Sequence, residues 1–226
     1  MADSTTTPDE LTGSVRAPDT GDDRLSSLSQ ERSRRTRAKL VDIALGLWGE
    51  RGFDDTSVDE LCEAAGVAKG TFYFYFRAKE DLLIELGFGA AESMIVEVHR
   101  AIADDATTRE VLARSFAELA SAVAPTPNAL LERSVEEIFH SLGKRWQQAK
   151  TGRPHFREIL TLVFTRGQER GEIDAGVGAG EIAGIMTMVM LQGLLDWSRI
   201  EEDTETLVAL LERRTRIVLE DAVLRS

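Results

Sequence analysis

A short stretch of the chain concentrates cations, hydroxyl groups and aromatic rings. The candidate contact residues in it are Lys69, Gly70, Thr71, Tyr73, Tyr75 and Lys79. The first three would occupy the first turn of a short helix and present a long cation, a bare backbone and a hydroxyl. Cations and hydroxyls grip phosphate oxygens, and the N-terminal residues of a recognition helix reach base edges in the major groove. The pattern therefore predicts contact with double-stranded DNA through these six residues.

The remaining aromatic residues of this stretch have two explanations. Phe72, Phe74 and Phe76 are explained as well by core packing as by DNA contact, because aromatic side chains bury large apolar areas. Cys62 lies four residues before Gly66, where a small side chain lets two crossing helices approach. We interpret Cys62 as a packing residue, with a reactive thiol as the lesser alternative.

Positive charge is concentrated upstream of this stretch. The 226-residue chain has a net charge of -12, yet residues 32–39 hold five basic residues and no acidic one. Arg34, Arg35 and Arg37 in this segment can lie along phosphates or enter the minor groove as an arm. The alternative is a basic face that only contacts solvent.

Helices must position these side chains. Residues 1–30 mix Asp, Ser, Thr, Pro and Gly with few apolar positions, which predicts a disordered tail. From Arg34 onward, apolar residues such as Leu40 and Leu47 recur at the spacing of one helical face, and Gly52 closes this first helix.

The next two helices are short. The second begins at Thr56 or Ser57, since each has an acidic residue three positions later, as in a capping box. Gly66 permits the positive φ of a sharp turn, a third helix follows over 68–76, and a fourth opens at Lys79. Two short helices across a glycine-containing turn predict a helix-turn-helix.

The rest of the chain keeps helical apolar spacing and shows no sustained strand alternation. The predicted fold class is all-α, with a three-helix DNA-binding domain over 31–80 and a larger helical bundle over 81–226. The last two helices, about 180–199 and 204–224, carry more apolar residues than two terminal helices need. They therefore predict a symmetric homodimer interface that includes Leu194 and Leu210.

The span from Arg35 to Leu83, and above all GVAKGTFYFYFRAKEDLL, resembles the DNA-binding domain of the tetracycline-repressor (TetR) family. The resemblance maps the groove-facing residues onto Lys69, Gly70, Thr71, Tyr73 and Tyr75, and phosphate contacts onto Thr56 and Lys79. Phe74 departs from the polar or tyrosine side chain that members often carry there. The resemblance implies a homodimer, a palindromic operator, usually repression, and release by a small-molecule effector.

The resemblance also implies a ligand pocket inside the C-terminal body. The candidate lining residues are Phe116, Phe139, His140, Trp146, Phe164, Met186, Met190 and Trp197. Core packing alone explains most of them. His155, Arg166 and Gln192 are further candidates for polar anchors. Helix four, which would run from the DNA-binding domain into the body, is the expected route of coupling between ligand and DNA.

Other classes of protein have little support. No apolar run is long enough to span a membrane, and no secretory signal is readable, so a cytoplasmic protein is expected. One cysteine and three scattered histidines predict no metal site and no cofactor. Motifs typical of enzymes are absent, so no enzyme activity is expected. An activator, a regulator without an effector, and a helical protein-binding adaptor stay open as alternatives.

Overall fold

The computed structural model describes the backbone of residues 21–145, 155–199 and 206–219. Within these ranges the chain forms nine helices and no strand. They are α1 (Gly21–Arg51), α2 (Val58–Ala65), α3 (Lys69–Tyr75), α4 (Glu80–Ala103), α5 (Thr108–Val123), α6 (Asn128–Arg145), α7 (Phe156–Glu169), α8 (Ala179–Ser198) and α9 (Leu207–Leu219). The predicted all-α fold class is confirmed.

Helix α1 begins earlier than the sequence predicts. A disordered tail was expected to residue 30, but α1 starts at Gly21, so that expectation is wrong for 21–30. Residues 1–20 lie outside the described residues. Near this boundary the Glu31 carboxylate accepts a hydrogen bond from Arg35 one turn later at 3.0 Å, and such a pair favours helix.

A first hydrophobic core lies under the helix-turn-helix, and we call it the reader core. It consists of Leu40, Ala44, Trp48, Phe53, Leu61, Cys62, Ala65, Phe72, Phe76, Leu82, Leu83 and Leu130. Most of these residues belong to α1, α2, α3 and the first turn of α4, but Leu130 comes from α6. The described residues from Lys39 onward form one compact unit that contains this core and the second one.

The second core fills the C-terminal body, from Ala90 on α4 through α9. Leu194 and Leu210 are each only 3% exposed and pack inside their own chain. The predicted interface through these two leucines is therefore wrong, because a residue buried within one protomer cannot face a second copy.

Glu172, just beyond α7, ties two helix ends together. Its carboxylate accepts hydrogen bonds from the Thr108 backbone N–H and from the Arg170 side chain, both at 2.6 Å. Partial burial alone would raise the pKa of Glu172, but the hydrogen bonds from Arg170 and Thr108 outweigh burial and lower the pKa to about 2. The first turn of α5 is thus fastened to the end of α7 by an ionised carboxylate.

Candidate DNA interface

The turn between α2 and α3 forms as its local sequence dictates. Ser57 caps α2 in a full capping box with Glu60, which selects Ser57 over Thr56 as the start of the helix. Gly66 ends α2 with φ 63°, a left-handed conformation that favours glycine. Phe72 and Phe76 then point from α3 into the reader core, where both are buried. This packing fixes which face of α3 remains outside.

Cys62 lies on α2 within the reader core. Burial and the nearby Asp59 carboxylate raise the pKa of the Cys62 thiol. A thiol with a raised pKa is a poor nucleophile at neutral pH. The geometry therefore favours the packing role for Cys62 over the reactive thiol.

The outer face of α3 carries several of the residues predicted to touch DNA. Lys69 and Gly70 are exposed, and an added Cβ at Gly70 would meet nothing within 4 Å. Tyr73 is 50% exposed, whereas Thr71 and Tyr75 are half-buried. Tyr75 packs partly against the reader core, so it presents less surface than Tyr73. The structure thus brings Lys69, Gly70 and Tyr73 onto one accessible surface.

Asp59 on α2 also belongs to this surface, although it was not predicted as a contact residue. Its carboxylate lies 2.7 Å from the Lys69 ammonium nitrogen. The hydrogen bond that the Lys69 ammonium donates to Asp59 and the negative charge of that carboxylate raise the pKa of Lys69. Asp59 therefore orients the charged Lys69 ammonium and forms an ion pair with it in the absence of DNA.

Lys79 occupies a different position from the one the sequence predicted. Its ammonium donates hydrogen bonds to the backbone carbonyls of Phe53, Asp54 and Thr56 at 2.7, 3.2 and 2.9 Å. The same nitrogen lies 4.5 Å from the centre of the Phe53 ring. All three ammonium protons have protein acceptors, so Lys79 clamps the loop between α1 and α2. Its contact with a DNA phosphate stays a prediction.

Thr56 also differs from its predicted role. Its side chain is 1% exposed, and its hydroxyl donates to the Gly52 carbonyl at 2.8 Å. A buried hydroxyl with an internal acceptor cannot reach a phosphate, so the side-chain contact expected at Thr56 is wrong. Ser57 is the exposed hydroxyl at the start of α2.

The upstream arginines lie on a helix and not on an extended arm. Arg34, Arg35 and Arg37 all fall within α1. Arg34 and Arg35 lie 3.5 and 3.0 Å from the Glu31 carboxylate. Both pairs are exposed, and exposed ion pairs exchange readily for other partners. DNA contact by these arginines stays a prediction.

A cluster of polar contacts connects α6 to the loop between α1 and α2. The Arg133 guanidinium donates to both oxygens of the Asp54 carboxylate, at 2.9 and 2.5 Å, and lies 4.9 Å from the Phe53 ring centre. One residue later, the Ser134 hydroxyl donates to the Leu83 carbonyl at 2.6 Å. The hydrogen bond with Arg133 lowers the pKa of Asp54. Helix α6 therefore contacts the DNA-binding domain directly. This contact adds to the coupling path expected through α4.

The predicted ligand residues lie mainly within the body core. Phe116, Phe164, Met186 and Met190 are fully buried, whereas Phe139 and Trp197 pack at the core margin. His140 is exposed, and Trp146 lies outside the described residues. A groove of about 360 Å³ on the surface of α4 and α5 contains none of them. Because the four buried side chains fill their own space, a ligand that touches them must displace existing packing.

The predicted polar anchors also have partners or neighbours in the protein. Arg166 donates to the Ala106 carbonyl at 2.7 Å, and the Gln192 amide donates to Asp196 at 2.9 Å. The His155 ring lies 5.2 Å from that of Phe88. In the described part of the chain, no helix is long and apolar enough to cross a membrane, and no group of His, Cys, Asp or Glu is arranged to hold a metal ion.

Comparison with known proteins agrees with this geometry. Residues 40–86 match the family model described as bacterial regulatory proteins, tetR family. The fatty acid metabolism regulator protein of Bacillus subtilis is 30% identical over 139 residues, which cover 62% of this chain and 71% of that protein. The chain belongs to the TetR family.

Solved TetR-family structures extend the likeness to the body. Thermus thermophilus FadR, a repressor crystallised with lauroyl-CoA, has a TM-score of 0.69 and 25% identity over 84% of this chain and 96% of its own. Bacillus subtilis FadR in complex with stearoyl-CoA has a TM-score of 0.53 and 25% identity over 80% and 96%. The chain is therefore a TetR-family transcriptional regulator with a helix-turn-helix reader and a helical C-terminal domain.

Proposed function

We propose that this TetR-family regulator is a homodimeric repressor that binds a palindromic operator and is released from it by an acyl-CoA thioester. The observation that supports the effector class most strongly is the likeness to Thermus thermophilus FadR in complex with lauroyl-CoA, which extends over 84% of this chain. The 30% identity to the Bacillus subtilis fatty acid metabolism regulator supports the same class. Such a regulator acts on the chromosome, so the proposal includes a cytoplasmic location.

The exposed surface of α3 supports operator binding by Lys69, Gly70, Thr71, Tyr73 and Tyr75. A phosphate can replace Asp59 as the partner of Lys69, since both present anionic oxygens to the ammonium. The Tyr73 ring packs edge-on against the buried Phe72 ring, 5.4 Å between centres, which holds the phenol in place before DNA arrives. A preorganised side chain loses less conformational entropy on binding.

The exposed apolar residues of α7 and α8 support a homodimer whose interface differs from the one predicted through Leu194 and Leu210. Ile185 is 52% exposed, and Leu162 and Met188 are also exposed. Ile185 and Met188 are three positions apart, so they lie on one face of α8. We place the interface on this face, and a second copy related by a two-fold axis would cover it with its own α7 and α8.

The junction around Arg133 supports a route from ligand to DNA. An acyl chain that enters the body must move packed side chains, and α6 belongs to the packing of both cores through Leu130 and Val135. A shift of α6 would pull on Asp54 through the bidentate contact with Arg133. Moving the loop between α1 and α2 in this way would tilt the reader and change the spacing of the two recognition helices, which must match about one turn of DNA.

The test measures operator binding and effector binding on the same dimer. An operator is selected from a random-sequence duplex pool with the full chain, and its affinity is measured by fluorescence anisotropy with lauroyl-CoA or stearoyl-CoA. Free CoA and lauric acid are the controls. We expect the two thioesters to weaken operator binding by about 5- to 150-fold, and the operator to weaken thioester binding by the same factor.

Each alternative gives a different result. Tighter operator binding in the presence of the thioesters would favour an activator. Unchanged operator binding would indicate a regulator that does not respond to acyl-CoA thioesters. A pool that yields no preferred duplex at physiological salt would contradict operator binding and favour a protein-binding adaptor.

A further inference from the structure

Phe74 is an exposed aromatic residue that the proposed contacts of α3 do not use. Its side chain is 80% exposed, more than any other large hydrophobic side chain on the described surface. Its neighbours Phe72 and Phe76 are buried, so the sequence pattern of three phenylalanines divides into two core residues and one outward residue. Isolated exposed apolar residues are common. Phe74 differs from such residues because it lies on the recognition helix, where DNA is the candidate ligand.

The surroundings of Phe74 form an apolar ledge open to the outside. Gly70 lies four positions earlier on the same helix face, with empty space where a side chain would be. Residues four positions apart lie on the same side of a helix, so the bare turn at Gly70 leaves the surface beside Phe74 open. The Tyr75 ring meets the Phe74 ring edge-on, with centres 5.0 Å apart and an interplanar angle of 82°. The ring is therefore held in a defined orientation.

The neighbouring polar groups favour DNA as the ligand. Lys69 and Tyr73 flank the ledge on the surface through which this TetR-family chain meets the major groove. The apolar group that the major groove presents there is the C5-methyl group of thymine, which apolar side chains recognise by direct contact. A ledge made of a phenyl ring and a bare glycine backbone offers a base edge no hydrogen-bonding side chain.

We propose that Phe74 reads a thymine in each operator half-site by covering its C5-methyl group. The inference rests on the proposed operator binding through α3 and adds a specificity-determining residue to it. Burying one methyl group in an apolar contact changes an affinity by about four-fold. Two half-sites in a palindrome would then give a change of about fifteen-fold.

The test removes the methyl group from the DNA and the ring from the protein. Each thymine of the selected operator duplex is replaced in turn by deoxyuridine, which lacks only the methyl group, and binding is measured for the full-length wild type and for Phe74→Ala. We expect one symmetric pair of replacements to weaken wild-type binding by about four-fold for each half-site. The same replacements should have no effect on Phe74→Ala, because the contact partner is gone.

Tyr73→Phe is the matched control, since it alters the adjacent ring without changing Phe74. It should keep the full sensitivity to deoxyuridine while it loses affinity through its missing hydroxyl. Phe74→Leu should keep part of the sensitivity, because leucine is still apolar. Circular dichroism and thermal melting verify that each variant is folded, as expected for changes at exposed sites.

Two results would overturn the inference in distinguishable ways. If no duplex is selected from the pool, operator binding itself fails and the reading by Phe74 fails with it. If a duplex is selected but every deoxyuridine replacement affects wild type and Phe74→Ala equally, operator binding stands and only the inference is wrong. Loss of self-association in Phe74→Ala, with an unchanged deoxyuridine pattern, would also reject it and assign the ring to contact between copies of the chain.

Discussion

Lys79 gives the sharpest test of the reader geometry, because its two possible roles predict opposite results. Lys79→Met keeps the apolar stem of the side chain and removes the ammonium with its hydrogen bonds to Phe53, Asp54 and Thr56. A hydrogen bond from a charged donor contributes about 1.5–3 kcal/mol. The cation over the Phe53 ring adds about 0.5–1 kcal/mol.

These contributions share one donor group and do not add fully. Water can also reach part of the loop and satisfy some of the released carbonyls. We therefore expect Lys79→Met to lower the free energy of unfolding by about 2–4 kcal/mol. For a chain of this size that corresponds to a fall in Tm of about 4–16 °C. The free energy of unfolding of Lys79→Arg should lie between those of the wild type and Lys79→Met, because a planar guanidinium cannot direct three protons at three converging carbonyls.

The assay compares thermal unfolding with the salt dependence of operator binding. If Lys79 clamps the loop and does not contact a phosphate, the Lys79→Met molecules that remain folded should show the wild-type dependence of operator affinity on salt concentration. Lys69→Met is the matched control: it removes an exposed ammonium, should leave the free energy of unfolding nearly unchanged, and should reduce the salt slope by about one for each contact. A Lys79→Met variant that melts like wild type and has a reduced salt slope would refute this reasoning and restore the phosphate contact.

Three further predictions test the junction, the interface and the charged tie. Arg133→Gln should bring the ratio of operator affinities without and with lauroyl-CoA closer to one while lauroyl-CoA still binds; an unchanged ratio in anisotropy titrations would remove α6 from the route. Ile185→Asp should turn the dimer into a folded monomer in sedimentation velocity, because an unpaired charge would enter an apolar interface, whereas Ile217→Asp, exposed on α9, should remain dimeric. Glu172→Gln should lower the free energy of unfolding at pH 7, since the folded pKa of Glu172 lies near 2, below its ordinary value of 4.5. The stabilisation by the carboxylate is complete above pH 4.5 and is lost as the pH falls toward 2. A difference between wild type and Glu172→Gln that stays constant from pH 7 to pH 3 in denaturant titrations would contradict the charged tie.

Short-range features of the reader could be predicted from the sequence because their causes lie within a few residues. The capping box at Ser57 depends on an acid three positions later, and the left-handed turn at Gly66 depends on the missing side chain of glycine. Helical periodicity likewise predicted an all-α chain, and the aromatic stretch of α3 supported the resemblance to the TetR family. The capping box, the turn and the helices depend only on the backbone and residues close in sequence.

Long-range contacts could not be predicted in this way. Arg133 and Asp54 are 79 positions apart, and neither has a neighbour that marks it as an ion-pair partner. Lys69 at the start of α3 and Lys79 just before α4 look equivalent in the sequence. In the structure, Lys69 faces outward beside Asp59, whereas the Lys79 ammonium is enclosed by three carbonyls.

The sequence by itself determined the helices, the turn and the residue types available for DNA contact, since local propensity and capping set these. Only the tertiary structure decided which of those residues remain available. Packing places Phe72 and Phe76 inside and Phe74 outside, although all three are the same residue at alternate positions. It also buries Leu194 and leaves Ile185 exposed on the same helix. Exposure depends on where neighbouring helices lie, and that depends on contacts between residues far apart in the chain.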